Sequence, residues 1–178
     1  MENTTKWVMD PAHSELLFKV KHLMITNVKG EFRNFDAQIT TTDDNFNNAK
    51  VSVTVEAGSI FTNNTDRDNH LKSADFFDVE NHPTLTFEGT QFEKLDEENY
   101  KLKGMLTIKG ISKEIVLDVE YGGIQKDPWG NTKVGFSVSG KFNRKDWELN
   151  WNAALEAGGV MVSDEVKIQS EIQFVQQA

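Results

Sequence analysis

The sequence predicts an all-β fold, an eight-stranded antiparallel β-barrel with one or two short helices. Three observations predict it. Apolar and polar residues alternate with a period of two over most of the chain, the pattern of half-buried strands. Short polar turns separate several consecutive stretches, so sequence neighbours pair antiparallel. The stretches run to roughly ten residues, which suits a barrel, and closure removes exposed edges. A two-sheet sandwich is the competing solution.

The stretches follow in order. Over residues 14–24, Leu16, Phe18, Val20 and His22 share one face. Over 28–41 the pattern runs through Val28, Gly30 and Phe32, then slips to Phe35, Ala37 and Ile39, which predicts a bulge near Asn34. Val51, Val53 and Val55 form the third inward face. Leu85 and Phe87 follow Pro83, a residue suited to a strand start because it lacks an N–H. Leu102, Gly104, Leu106 and Ile108 oppose Lys101, Lys103, Met105 and Thr107. Ile115, Leu117, Val119 and Tyr121 come next, then Val134, Phe136, Val138 and Phe142, and finally Val166, Ile168, Ile172 and Phe174. Turns are expected at 96–99, 110–113 and 127–131, which makes strands four to seven a meander. The stretch 41–48 reads as a polar turn.

Two places break the alternation. Thr65 stands three residues before Asp68, a variant capping box, and predicts a short helix to about Ser73. Trp147, Trp151, Ala154 and Leu155 fall at helical spacing before Gly158 and Gly159, and predict a second one.

Composition narrows the function. The 178 residues are the size of one domain, and no linker or repeat divides them. The net charge of −9 argues against nucleic acid and against a basic patch docking on an anionic membrane. No apolar stretch is long enough for a transmembrane helix. With no cysteine, disulfides, thiolate nucleophiles and thiolate metal sites are excluded. The first residues show no basic and apolar leader, so a cytoplasmic location is the expectation. The acidic run at 43–47 lacks the glycine and terminal glutamate of a calcium loop. Gly135–Gly140 lies in a strand and lacks the spacing of a nucleophile elbow.

The four histidines have no metal-ligand spacing, so no metal is expected. His22 shares the inward parity and could meet a ligand's polar head or act as a base; a neutral core imidazole is the plainer reading. His13, after Asp10-Pro11-Ala12, reads as a turn residue. Arg67 and Asp68 could clasp a phosphate or pair within the fold, and the latter is preferred. The candidate ligand-lining set is Phe18, Val20, His22, Val53, Val55, Phe87, Leu106, Ile108, Leu117, Phe136, Val138 and Ile168. No catalytic residue or cofactor is expected.

Asp10-Pro11-Ala12-His13-Ser14, followed by Phe18, His22 and Gly30-Glu31-Phe32, is similar to the opening of YceI-like proteins. Arg67-Asp68-Asn69-His70-Leu71-Lys72-Ser73-Ala74-Asp75-Phe76-Phe77-Asp78 continues the likeness, as do His82-Pro83, Gly104–Gly110 and Asn143-Arg144-Lys145-Asp146-Trp147. The resemblance covers Trp7 to about Phe174, with Glu148 where members commonly have glycine. It implies a lipocalin-like barrel binding a polyisoprenoid, a quinone-like ligand or a similar amphiphile in an apolar tunnel. It implies carriage, storage or sequestration rather than catalysis, and a homodimer; members are often exported to the periplasm. Two other functions stay open on the residues alone. One is an enzyme acting on an isoprenoid through His22. The other is a barrel filled by its own side chains that serves as a stress-related interaction protein.

Overall fold

The computed structural model describes residues 4–23, 25–42, 45–149 and 162–177, without the side chains of His22 and Asn45. The strands are β1 (Thr4–Met9), β2 (Glu15–His22), β3 (Thr26–Phe32), β4 (Phe35–Thr42), β5 (Asn45–Glu56), β6 (Ile60–Phe61), β7 (Thr84–Lys94), β8 (Asn99–Ile108), β9 (Ile111–Lys126), β10 (Thr132–Asn143) and β11 (Glu165–Gln176). Among the described residues one α-helix, α1, spans Thr65–Lys72. No helix among the described residues is long and apolar enough to cross a membrane.

All strand pairs are antiparallel, in the order β1-β4-β5-β7-β8-β9-β10-β11-β2-β3-β6, and β1 also pairs with β11. That last pairing closes the sheet. β1 and β2 lie end to end along one edge of β11: Trp7 stands opposite Gln176, and Leu17 opposite Gln169. They therefore form one broken stave. β3 and β4 form the next, and β5 and β6 a third, because β4 pairs with β5 and β3 with β6. Counted this way the barrel has eight staves, as the sequence predicts.

The predicted bulge near Asn34 is the break between β3 and β4. The sequence misses β1 and β6, which are too short or too atypical to show alternation. The stretch 41–48 is corrected: β4 reaches Thr42 and β5 begins at Asn45, while Thr41 and Phe46 are buried. The turn expected at 110–113 is tighter. Lys109 and Gly110 both have positive φ, the geometry of a two-residue hairpin loop, and β9 already begins at Ile111. Asn64, not Thr65, caps α1, its side-chain oxygen accepting from the Arg67 N–H at 3.0 Å. Trp147 ends a short 3₁₀ turn over Arg144–Trp147; the rest of the second predicted helix lies outside the described residues.

One knot holds the broken first stave. The Asp10 N–H donates to the Gln173 carbonyl at 2.8 Å, and the Gln173 N–H donates to Ser14 Oγ at 3.1 Å. The Asp10 carboxylate accepts from the Ala12 N–H and meets Lys133 Nζ at 2.7 Å and His13 Nδ1 at 2.8 Å. Hydrogen bonding to Lys133 first, then to His13, lowers its pKa to about 2. His13 is thus a turn residue, as expected. A carboxylate held low adds stability above its ordinary pKa near 4 and loses it as pH falls toward 2. Asp10→Asn should lower stability at neutral pH by about 1 kcal/mol, solvent screening having reduced the full shift. It should also flatten the pH 2–4 limb of denaturation midpoint against pH, in the window set by the lowered value. An unchanged acid limb would contradict this.

Candidate functional site: an apolar cavity with one polar end

The inward faces do not fill the barrel uniformly. At the end carrying the β9–β10 hairpin, rings close the interior. Phe46 lies 5.4 Å from Trp7 and 5.4 Å from Phe136 between ring centroids, and Phe92 stacks on Tyr100 at 4.8 Å. Burial there pushes the Tyr100 and Tyr121 hydroxyls up from the usual phenol range. The Trp7 indole is 1% exposed and donates to Thr41 Oγ1.

Toward the other end the interior is hollow, with a cavity of about 610 Å³, within the size range of small-molecule sites. Phe18, Val20, Val53, Val55, Phe87, Leu106, Ile108, Leu117, Phe136, Val138 and Ile168 all line it. They come from β2, β5, β7, β8, β9, β10 and β11, and strand parity brings them together. The side chain of His22 lies outside the described residues.

Glycines make room for rings across the wall. Phe18 stands opposite Gly30, and Phe87 lies against Gly104. A methyl group at either glycine would collide with the facing ring, and at Gly104 also with the Glu88 carbonyl oxygen. The rings thus lie along the wall.

The polar lining gathers where β6 leaves the sheet and α1 begins: Thr62, Asn64, Asp66, Arg67 and His70. Arg67 and Asp68 do not pair with each other; both grip Thr62. Arg67 Nε donates to Thr62 Oγ1 at 2.8 Å and Nη2 to the Thr62 carbonyl at 2.7 Å. Asp68 Oδ1 accepts from the Thr62 N–H at 2.8 Å and from its hydroxyl at 2.5 Å. The clasp ties α1 to the residue that follows β6, and Arg67 is among the residues that line the cavity. Ser170, the polar residue of mid-wall, turns its hydroxyl to the Glu15 carbonyl at 2.6 Å.

Sequence reasoning missed two parts of this site. Leu71, Phe76 and Phe77 line the cavity, Leu71 from α1 and the two rings from the turns that follow it, where strand parity carries no signal. Arg144, read only as part of a turn, is 3% exposed and lines the cavity. Its Nη1 donates to the Leu149 carbonyl and its Nε to the Ser163 carbonyl, tying both ends of the connection between β10 and β11. Burial lowers its pKa from the usual guanidinium range. Glu148 follows in the left-handed region with φ of 60°, a conformation that favours glycine. Among the described residues no group of three or more His, Asp or Glu converges as a metal cage would require.

A model of the YceI-like domain matches residues 7–174. The chain belongs to the YceI-like family. A UPF0312 protein of Staphylococcus epidermidis is 43% identical over 171 residues, covering 96% of this chain and 97% of the relative. The YceI protein of Campylobacter jejuni, 36% identical, superimposes with a TM-score of 0.74 over 89% of this chain and 90% of its own. A polyisoprenoid-binding domain from Saccharophagus degradans shares the fold at 13% identity, with a TM-score of 0.67 over 96% and 98% of the two chains.

The clasp generates a test. Asp68→Ala leaves the buried Thr62 N–H and hydroxyl without their acceptor, at a cost of about 2 kcal/mol. Proteolysis near α1 should accelerate while the barrel's circular-dichroism spectrum stays β-type. Wild-type stability and proteolysis in the variant would show that the clasp does not hold the helix.

Proposed function

We propose that this YceI-like protein binds a polyisoprenoid or a similar chain-like amphiphile, a quinone-like lipid included, for carriage or sequestration. The tail enters the cavity and the polar head stays beside Thr62 and Arg67. One observation carries the reading: the cavity is apolar along its wall and polar at one end. A hydrocarbon tail gains about 25 cal/mol per Å² of apolar surface removed from water, and needs no cofactor or bond-making group to do so. Arg67 lines the cavity, and its guanidinium donates to Thr62, a neutral partner. It therefore suits a head bearing oxygens, whether hydroxyl, carbonyl or phosphate. Membership of the family and the shared fold of the Saccharophagus domain, named for binding polyisoprenoids, support the same reading.

Solvent extraction of purified protein, followed by mass spectrometry, should recover a prenyl or long-chain lipid at a fixed ratio to protein. Leu106 lines the cavity and Met105, its neighbour in β8, does not. Leu106→Trp should therefore displace the lipid at small cost in stability, and Met105→Trp should do neither. A filled site would instead be overpacked by the same change, costing about 1–3 kcal/mol. Equal lipid content in wild type and Leu106→Trp, with a lowered denaturation midpoint, would overturn the proposal.

A further inference from the structure

The register of the sheet builds something that the net charge hides. On the outer wall Lys141 stands directly opposite Lys167, Lys167 opposite Lys19, and Lys19 opposite Lys29. Four lysines thus form one row across β10, β11, β2 and β3, spanning about 14 Å at the usual strand spacing. All four border one open concavity of the outer face. Like charges directly opposite one another work against a sheet. Lys141 is relieved by Glu165 at 3.5 Å; among the described residues Lys19, Lys29 and Lys167 have no ion-pair partner. Nearby Glu31 is taken by Arg33 at 3.1 Å. The facing pair Glu15 and Glu171 lies four residues along the strands, about 13 Å away.

Two further features share this end of the barrel. The β2–β3 hairpin, which carries Lys19 and Lys29, exposes Ile25 to 79% beyond the cavity-lining pair Val20 and Val28. Val20, Val28 and Lys21 also line the cavity. An exposed apolar tip flanked by lysines, at the end where the cavity meets that hairpin, has the features of an interfacial anchor.

We propose that the lysine row and the β2–β3 hairpin dock this protein on an anionic lipid bilayer, with the hairpin end of the cavity facing the membrane. This rests on the lipid-binding reading above and adds where cargo is exchanged. The net charge of −9 does not forbid it. At physiological salt a charge is felt over about 8 Å, so the bilayer senses the row together with the carboxylates that border the same concavity, Glu31, Glu114, Asp118 and Asp146, of which the first three lie beside Arg33, Lys103 and Lys101. Ile25 then buries its side chain at the headgroup boundary, where the row alone would leave it in water.

Flotation with vesicles tests this. Phosphatidylcholine vesicles are compared with equal mixtures of phosphatidylcholine and phosphatidylglycerol, at low and high salt, using full-length protein before and after lipid extraction. The protein should float with the anionic vesicles at low salt, and not with phosphatidylcholine or at high salt. Lys19→Gln with Lys167→Gln should weaken binding about thirtyfold, the equivalent of about 1 kcal/mol per lysine. The melting temperature should stay the same or rise, because like-charge repulsion is removed. Ile25→Ser should weaken binding too, while Lys126→Gln, at the closed end, should not. Equal binding to both vesicle types, or full binding by the double variant, would overturn the proposal. So would row-dependent retention of duplex DNA, or row-dependent self-association, without vesicle binding. Lipid retention is measured separately: a protein that keeps its extractable lipid but ignores anionic vesicles loses only the docking surface. One that binds vesicles but carries no lipid loses the carrier reading.

Discussion

The architecture depends on the kink at Asp10–Ser14. A regular strand pairs with one neighbour on each edge, yet β11 must serve both β1 and β2 on the same edge. The chain manages this by turning through Pro11-Ala12-His13 and pinning the turn to Gln173 from both sides. The break then propagates: β3 and β4 part at Arg33 and Asn34, and β5 and β6 are separated by a 3₁₀ turn at Ala57–Ser59. Three successive staves therefore change direction together. At one end they close on β11. At the other they carry β3 and β6 away from β7, and the gap is covered by α1 and the residues after it. Closure and opening are consequences of one set of breaks.

That asymmetry decides what the interior can do. At the closed end large rings meet across the lumen and expel solvent by mutual contact. At the open end the rings of Phe18 and Phe87 lie over glycines and leave the axis free. A cavity of about 610 Å³ survives because its wall is thinned where rings rest, not because the barrel is wide. The polar groups that a cavity must tolerate are satisfied before any ligand arrives: Thr62 by Asp68, Ser170 by Glu15. The guanidinium of Arg67 is held by a neutral partner, Thr62, and keeps donor capacity for a ligand at that end of the cavity.

Parity made the described inner wall legible, since a period of two assigns every residue of a regular strand to a face. All eleven candidate wall residues with described side chains border the cavity because each sits in such a strand. What parity cannot see is irregular backbone and long-range closure. Phe46 and Thr41 looked like parts of a polar turn because Asp43, Asp44 and Asn45 surround them with polar residues. Their burial comes from Trp7, contributed by a strand 34 residues away from Thr41. Asn64 caps α1 although Thr65 also presents a hydroxyl at a plausible spacing; only the backbone geometry distinguishes the two neighbours. Phe76 and Phe77 line the cavity from a segment folded by turns, where no period exists to read.

Charge shows the same division between content and arrangement. Counting residues gives an acidic chain, and a uniform acidic surface would repel phosphate from every side. Register sorts those charges instead. Along β2 and β11, Glu15 faces Glu171 nearer the closed end, and Lys19 faces Lys167 nearer the open end. The same slip that would flip Phe18 out of the lumen would also dismantle this lysine row, because alternate residues of one strand supply both. The apolar inner wall and the outer lysine row are therefore two readings of a single register.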